Sequence, residues 1–226
     1  MRKTFDPIKC LNIVLAISLA VFILTLSIAV PILVRPFYYM QIDQLAIPAV
    51  SGVSKEDCKK AYDEMLDYCI GLSDRFSTGN LKWSAEGKSH FDDCRELFAL
   101  DFNLLLYSGT FIVLMIVLHI IDKFKMEAIG KHLPGFWAGS ILLGAVIVIA
   151  FFAASNFELA FTIFHVLFFP GKENWLFDPK TDEIINILPE QFFANCGILI
   201  GVLILVLSMA LIVFSLKKEK EIYYDK

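Results

Sequence analysis

Four long apolar blocks constrain this chain of 226 residues more than any other feature of its sequence. Each block is long enough to cross about 30 Å of hydrocarbon as a helix that rises about 1.5 Å per residue. A soluble core could not bury so much apolar surface, because hydrophobic residues make up 57% of the chain and charged residues only 19%. The sequence therefore predicts an all-α membrane protein with four transmembrane helices, at Leu11–Val34, Leu104–Ile121, Phe136–Ala154 and Phe192–Leu216.

The charged residues divide unequally between the two sides of the predicted membrane. Residues 1–10, 122–135 and 217–226 carry ten basic and six acidic side chains, whereas residues 35–103 and 155–191 carry ten and eighteen. Basic segments favour the cytoplasm, so we predict a single multi-pass membrane domain with both termini in the cytoplasm and the two longer segments outside. No basic stripe remains for a nucleic-acid partner.

The first outer segment is predicted to form an extended stretch followed by two helices. The stretch RPFYYMQIDQLAIPAV is rich in aromatic residues that suit a membrane interface. Ser54-x-x-Asp57 is a variant of the capping box that begins the first helix, and Gly71 ends it. The second helix begins near Ser84 or Ser89 and continues into the second span. The cap outside the membrane is therefore expected to be small and mostly helical.

The second outer segment combines a short apolar helix with a loop. Residues 156–169 have a helical pattern, and their polar residues Glu158, Thr162 and His165 fall on one face of that helix. The turn at Asp178-Pro179 and the acceptor groups of Asp178 and Asp182 are expected to shape the loop that follows. Pro189 suits the first turn of the last helix.

The five cysteines do not predict a disulfide framework. Cys10 and Cys196 fall in the spans, where they are typical small apolar residues. Cys58 and Cys69 lie about 16 Å apart along one helix, which is too far for a bridge. A bond from Cys58 or Cys69 to Cys94 remains open.

Two glycine pairs are expected to bring helices together. Gly135 and Gly139 have GxxxG spacing, and so do Gly197 and Gly201. Such pairs are common where membrane helices approach closely. We interpret both as packing positions only.

His90 is the first candidate for proton transfer. Asp93 lies three residues further on the same helical face, and Glu86 lies one turn before. A carboxylate beside an imidazole fixes its tautomer and stabilises the imidazolium, which prepares a general base. The alternative interpretation is a solvated helix start with ordinary side-chain pairing.

His165 is the second candidate, because its surroundings are aromatic. On a helix it would lie beside Phe161, Phe164, Phe168 and Phe169, and burial there would lower its pKa and keep it neutral. Ionisable groups at membrane depth usually line a cavity or a substrate path. A hydrogen-bonded histidine in a core would fit the same pattern.

Other chemistry has weaker support in the sequence. His90, Asp93 and His165 could form a two-histidine, one-carboxylate metal site, although no compact ligand spacing supports it. His119 is expected to serve packing, and His132 to be solvated in the cytoplasmic loop. The sequence has no GxSxG elbow, phosphate loop or CxxC motif, so it offers no obvious nucleophile.

Three stretches carry a resemblance to a known family: RPFYYMQI after the first span, HFDDCRELF at His90, and FHVLFFPGKENWLFDPKTDEIINILPEQFF before the last span. They resemble the lipoprotein intramolecular transacylases of low-GC Gram-positive bacteria. The four-span layout agrees, so the resemblance covers nearly the whole chain. Cys94 departs from it, since a small aliphatic residue is expected there, and this difference bears on packing.

The resemblance implies an enzyme that acts on the N-terminal cysteine of a diacylated lipoprotein, among membrane lipids on the outer face of the bacterial cell membrane. It would move the sn-2 acyl chain of the diacylglyceryl group to the α-amino group of the same cysteine, giving a lyso-form lipoprotein. No cofactor is implied. The alternative is a non-catalytic four-helix membrane protein that binds lipid or a partner through its outer cap.

The implied reaction explains why a protein nucleophile is missing. An ester-to-amide shift within one molecule uses the substrate amine as its nucleophile, and proximity lowers the barrier. It still needs a base, an acid and hydrogen-bond donors for the oxyanion. We expect His90 and His165 to transfer the protons and Asp93 to orient His90. Candidate donors that bind the substrate are Tyr38, Tyr39, Asn174 and Trp175.

Overall fold

The computed structural model describes residues 6–224 of the chain, with side chains described through residue 222. The ends of the predicted cytoplasmic segments, residues 1–5 and 225–226, lie outside the described residues. Within the described range the chain forms eight α-helices and one 3-10 helix, η1. Their bounds are α1 Pro7–Leu33, α2 Arg35–Gln44, α3 Ile47–Ser51, α4 Lys55–Cys69, α5 Ala85–Ile120, α6 Pro134–Ser155, α7 Phe157–Phe168, η1 Glu183–Ile187 and α8 Glu190–Tyr224.

Four of these helices, α1, α5, α6 and α8, are long and apolar enough to cross a membrane. Each contains most of one predicted span, which confirms the predicted class of an all-α membrane protein with four transmembrane helices. Helix α5 runs without a break from Ala85 to Ile120, as expected for an outer helix that continues into a span. The predicted span Leu104–Ile121 takes up its second half, so His90, Asp93 and Cys94 lie before that span.

One compact unit of the chain consists of residues 6–27, 103–150 and 201–224 among those described. In this unit α6 and α8 approach closely at two glycines. A Cβ atom on Gly135 would lie 2.5 Å from the Ser215 hydroxyl, and one on Gly139 would lie 2.7 Å from the Ser208 backbone oxygen. The first GxxxG pair is therefore a packing position, as predicted.

The second compact unit consists of residues 28–102 and 151–200. Its core joins α2, α3, α4, the start of α5 and η1, with Tyr38, Ile42, Ile47, Ile184 and Ile187 among its most buried side chains. Gly197 of the second GxxxG pair has open space around it. The predicted packing role for that glycine is wrong.

The predicted extended stretch after the first span is also wrong, because it forms α2 and α3. Pro36 does not interrupt α2, because it occupies the first turn of that helix, where its missing N–H costs nothing. Tyr38, Gln41 and Ile42 then share one helical face and are buried on it. Burial of that face favours helix over an extended chain.

The predicted ends of α4 agree with the structure. The Ser54 hydroxyl accepts a hydrogen bond from the backbone N–H of Asp57 at 3.1 Å, which caps the helix. Gly71 follows its last turn with a φ of 81°, in the left-handed region that favours glycine. Cys58, Cys69 and Cys94 are free thiols, so neither of the open disulfide pairings is formed.

Candidate active site

His90 is positioned by the first turns of α5, which are attached to the loop that precedes α8. The Asp182 carboxylate accepts hydrogen bonds from the backbone N–H of Ser84 at 2.7 Å and from its hydroxyl at 2.9 Å. The same hydroxyl accepts a bond from the Gly87 N–H at 2.9 Å and so caps the helix. A Cβ on Gly87 would lie 2.0 Å from Asp182, so only glycine allows this close approach.

His165 is positioned by α7, which has the predicted helical form. The Asn156 side chain caps the helix by accepting a hydrogen bond from the Leu159 N–H at 2.9 Å. Of the predicted polar stripe, Glu158 is exposed and Thr162 is half-buried, while His165 is buried. The stripe therefore presents one buried polar group, the imidazole.

The two imidazoles meet inside an aromatic enclosure. The ring centroids of His90 and His165 are 5.8 Å apart, and the side chains are 6% and 7% exposed. Phe169 lies 5.0 Å from the His90 ring and Phe177 lies 5.4 Å from it. Trp175 stacks on the His165 ring at 4.5 Å. Two histidines that are distant in sequence thus share one apolar site.

This environment keeps both rings uncharged near neutral pH. Burial lowers the pKa of His90 to about 4, and repulsion from His165 adds to the effect, while Asp93 opposes it. Burial also lowers the pKa of His165. A neutral imidazole has one nitrogen that donates and one that accepts, which is the form that general acid–base chemistry needs.

The hydrogen bonds of the two rings differ. His165 Nδ1 lies 2.7 Å from the Phe161 carbonyl oxygen, and because a carbonyl only accepts, this nitrogen carries the proton and Nε2 is left to accept one. His90 Nε2 lies 3.5 Å from the Cys94 sulfur. His90 Nδ1 is buried without a hydrogen-bond partner among the described residues.

The sequence had suggested that Asp93 orients His90, but no hydrogen bond joins the two side chains. Its carboxylate is bound by Lys172 in an ion pair and by the Asn174 amide at 2.9 Å. Partial burial would raise the pKa of Asp93, but these two bonds outweigh it and hold the pKa below its ordinary value. Asp93 is therefore an anionic anchor that attaches the loop after α7 to α5.

The four donors that were predicted for the oxyanion are engaged within the protein. Tyr38 is buried and donates to the Ile187 carbonyl at 3.0 Å, and Tyr39 donates to the Asp63 carboxylate at 2.7 Å. The Trp175 indole donates to the Lys172 carbonyl at 3.1 Å. The Asn174 amide donates to Asp93. Tyr38 and Tyr39 thus belong to the core of the cap and not to the histidine site.

Across residues 6–224, no three histidine, cysteine, aspartate or glutamate side chains are grouped so that they could hold a metal ion. The proposed set of His90, Asp93 and His165 fails because the Asp93 carboxylate is directed to Lys172 and Asn174. Sequence reasoning also missed Lys172 and the contact of Cys94 with His90. The contact had a signal, since Cys94 follows His90 by four residues; Lys172, 79 residues from Asp93, had none.

Solved structures of one membrane enzyme resemble the fold of this chain. The crystal structure of the membrane integral lipoprotein intramolecular transacylase Lit from Bacillus cereus aligns with a TM-score of 0.83 and 26% identity, over 94% of this chain and 97% of that one. A form of that protein with one histidine replaced by arginine aligns at 0.77 and 24% identity, over 96% and 94%. A histidine-to-alanine form aligns at 0.75 and 25%, over 94% of each chain.

Sequence comparison gives the family directly. No curated protein sequence matches the chain. The family described as lipoprotein intramolecular transacylase Lit matches residues 13–193, which is most of the chain and includes both site histidines. This four-helix membrane protein therefore belongs to the Lit family of lipoprotein intramolecular transacylases.

Proposed function

We propose that this enzyme moves the sn-2 acyl chain of the diacylglyceryl-cysteine of a lipoprotein to the α-amino group of the same cysteine. The observation that carries the proposal is a pair of buried, neutral imidazoles, 5.8 Å apart between ring centroids. Membership of the Lit family supports the substrate class. The product is a lyso-form lipoprotein with an N-acyl chain and a monoacylglyceryl group.

The reaction needs proton transfer more than it needs a protein nucleophile. The amine nitrogen attacks the ester carbonyl carbon, an amide bond forms, and the bond from that carbon to the glyceryl oxygen breaks. The amine loses one proton and the glyceryl oxygen gains one, so the reaction is balanced without a co-reactant. Because amine and ester belong to one molecule, holding them together supplies much of the rate enhancement.

The two histidines suit the two proton transfers. His165 accepts the amine proton at Nε2, since its Nδ1 proton is held by the Phe161 carbonyl. His90 donates from Nδ1 to the oxygen that develops negative charge and leaves. This tautomer of His90 is supported by Cys94, because burial raises the pKa of its thiol, which keeps its proton and can donate to Nε2.

The substrate is anchored in lipid, so the site must lie where the membrane meets water. Helix α7 has 12 residues, so it is about 18 Å long and too short to span the membrane. It exposes large apolar side chains, among them Leu159, Ile163, Val166 and Leu167. Such a helix suits an interfacial position. Together with the charge distribution, this supports an active site on the outer face.

The test is expression of the full chain in a bacterial host whose lipoproteins are diacylated and have a free α-amine. Substrate and product are isomers, so tandem mass spectrometry of the N-terminal lipopeptide must locate the acyl chain. We expect an N-acyl fragment with the wild-type chain and none with a double variant in which His90 and His165 are alanine. Unchanged acyl placement with wild-type protein in the membrane would contradict the proposal and favour a lipid-binding or partner-binding protein.

A further inference from the structure

Asn174 has a side-chain orientation that its neighbours fix. Its Nδ2 atom lies 2.9 Å from Asp93 Oδ2 and 3.3 Å from the Ser89 hydroxyl oxygen. A carboxylate only accepts hydrogen bonds, so the NH₂ group must face Asp93. Lys172 pairs with the other carboxylate oxygen and keeps Asp93 in its ionised form. The amide therefore cannot turn over without losing its bond to an anion.

The opposite atom of the same amide is an acceptor without a donor. Asn174 Oδ1 is buried and has no hydrogen-bond partner among the described residues. A buried carbonyl oxygen that has lost water and gained no donor is costly, and such atoms are rare in native proteins. In an enzyme, one reason for such an atom is a ligand that supplies the missing donor.

The position of Asn174 links this oxygen to the histidine site. Ser89, which contacts its amide, precedes His90 in α5. Trp175, the next residue in the loop, stacks on the His165 ring. His90 Nδ1 is a second buried polar atom without a partner in the described part of the chain. One unpaired atom thus belongs to α5, which carries His90, and the other to the loop after α7, which carries Trp175.

We propose that Asn174 is a substrate-binding residue whose Oδ1 accepts a hydrogen bond from the α-amine that becomes acylated. This inference rests on the proposed function. Of the two reacting groups, the ester offers only acceptor oxygens, whereas the amine carries N–H donors. One N–H held by Asn174 and another directed to His165 would aim the nitrogen lone pair at the ester carbon. Asn174 therefore binds the nucleophile. The sequence had suggested a different role, as a donor to the oxyanion.

The test pairs a residue change with a ligand change. The full-length protein in detergent micelles is assayed with a synthetic diacylated lipopeptide, and the inhibitor is the same lipopeptide without its α-amino group. We expect Asn174→Ala to lower kcat/KM about tenfold to a hundredfold. The inhibition constant of the amine-free analogue should change less than about twofold, because that ligand lacks the donor.

Ser89→Ala is the matched control, since it removes the other contact of Nδ2 and leaves Asp93 to hold the amide. It should leave kcat/KM within about twofold of wild type. Equal weakening of substrate and analogue by Asn174→Ala would overturn the inference, because the loss would then be structural or lie elsewhere in the ligand. If Asn174→Ala has the wild-type rate, the role of Asn174 is contradicted and the proposed function stands. If the wild-type protein shows no acyl transfer, the proposed function is contradicted as well.

Discussion

His90 and His132 are both packed against aromatic rings, but the hydrogen-bond partners of their ring nitrogens differ. The His132 ring stacks on Phe136 with centroids 3.8 Å apart, and its Nδ1 lies 3.1 Å from the Glu219 carboxylate. Glu219 also accepts a hydrogen bond from the Leu133 N–H at 2.7 Å. His132 was expected to be solvated, and its side chain is 31% exposed, but its Nδ1 also has this protein partner. His90 is more deeply buried, yet its Nδ1 has no partner in the described chain.

The difference separates an imidazole that stabilises structure from one that is free to react. The hydrogen-bonded pair of His132 and Glu219 joins α8 to the loop before α6, so its hydrogen bonds stabilise the fold. No carboxylate among the described residues is hydrogen-bonded to the His90 ring, and burial keeps the ring neutral with Nδ1 unpaired. An unpaired buried nitrogen costs stability, and we infer a catalytic role for His90 from that cost together with its approach to His165.

The largest expected effect tests this contrast directly. His90→Ala should lower the rate of acyl transfer by about a hundredfold to ten-thousandfold, because it removes a general acid–base group. His132→Ala should stay within about threefold of wild type in rate and should instead lower the thermal stability of the purified protein. Rates are measured with a diacylated lipopeptide in micelles. Comparable rate losses in both variants would break the comparison.

A smaller effect is expected at the anchor of the loop. Asp93→Asn removes the ion pair with Lys172 and frees the Asn174 amide to turn, so kcat/KM should fall about tenfold. Asp92→Asn is the control, because this neighbouring carboxylate pairs with Lys88 and Tyr68 outside the histidine site. It should change kcat/KM less than about twofold. Equal kinetic losses from the two substitutions would argue against a special role for Asp93.

Cys94 offers a second test of the role of His90. Its thiol lies 3.5 Å from the His90 ring, an arrangement that resembles a nucleophile with its base. Burial raises the pKa of the thiol, however, and a protonated thiol attacks esters poorly. We expect Cys94→Ser to keep the wild-type rate within about twofold and Cys94→Ala to lower it about threefold. The contrary result would be a hundredfold loss of rate in both variants, together with an acyl thioester detected on the wild-type protein by intact mass. Cys94, and not the substrate amine, would then be the first nucleophile.

The smallest effect is expected where a polar group is fully satisfied in the core. Tyr38→Phe leaves the Ile187 carbonyl without its donor and should lower the free energy of unfolding by about 1 kcal/mol. Acyl transfer should stay within about twofold of wild type, because this hydroxyl does not face the histidines. Unfolding is followed by denaturant titration in micelles. A rate loss with unchanged stability would return Tyr38 to the active site.

Local patterns predicted those parts of the fold that depend on local physics. The spans follow from apolar length, and the start of α4 follows from the Ser54 cap. The stretch that forms α2 was predicted to be extended, although the spacing of Tyr38, Gln41 and Ile42 already marked one helical face.

The site itself depends on contacts that no local pattern contains. His90 was identified by its spacing from acidic residues and His165 by its aromatic neighbours, but their approach requires the loop that Asp182 attaches to Ser84, 98 residues away. Asp93 was expected to pair with His90 from their spacing. Lys172 carries a full opposite charge and takes the carboxylate instead.

The claim on which the account depends is that His90 is neutral, with a reactive Nδ1. ¹⁵N NMR of histidine-labelled protein, with His90 assigned by its glutamine variant, reports the protonation of each ring nitrogen. The pKa of His90 is lowered to about 4, so the ring should stay neutral at pH 6 and take up a proton only as the pH falls through about 4. Addition of the amine-free lipopeptide should shift Nδ1 more than Nε2. A midpoint near the ordinary value of 6.5, or a shift confined to Nε2, would contradict the account.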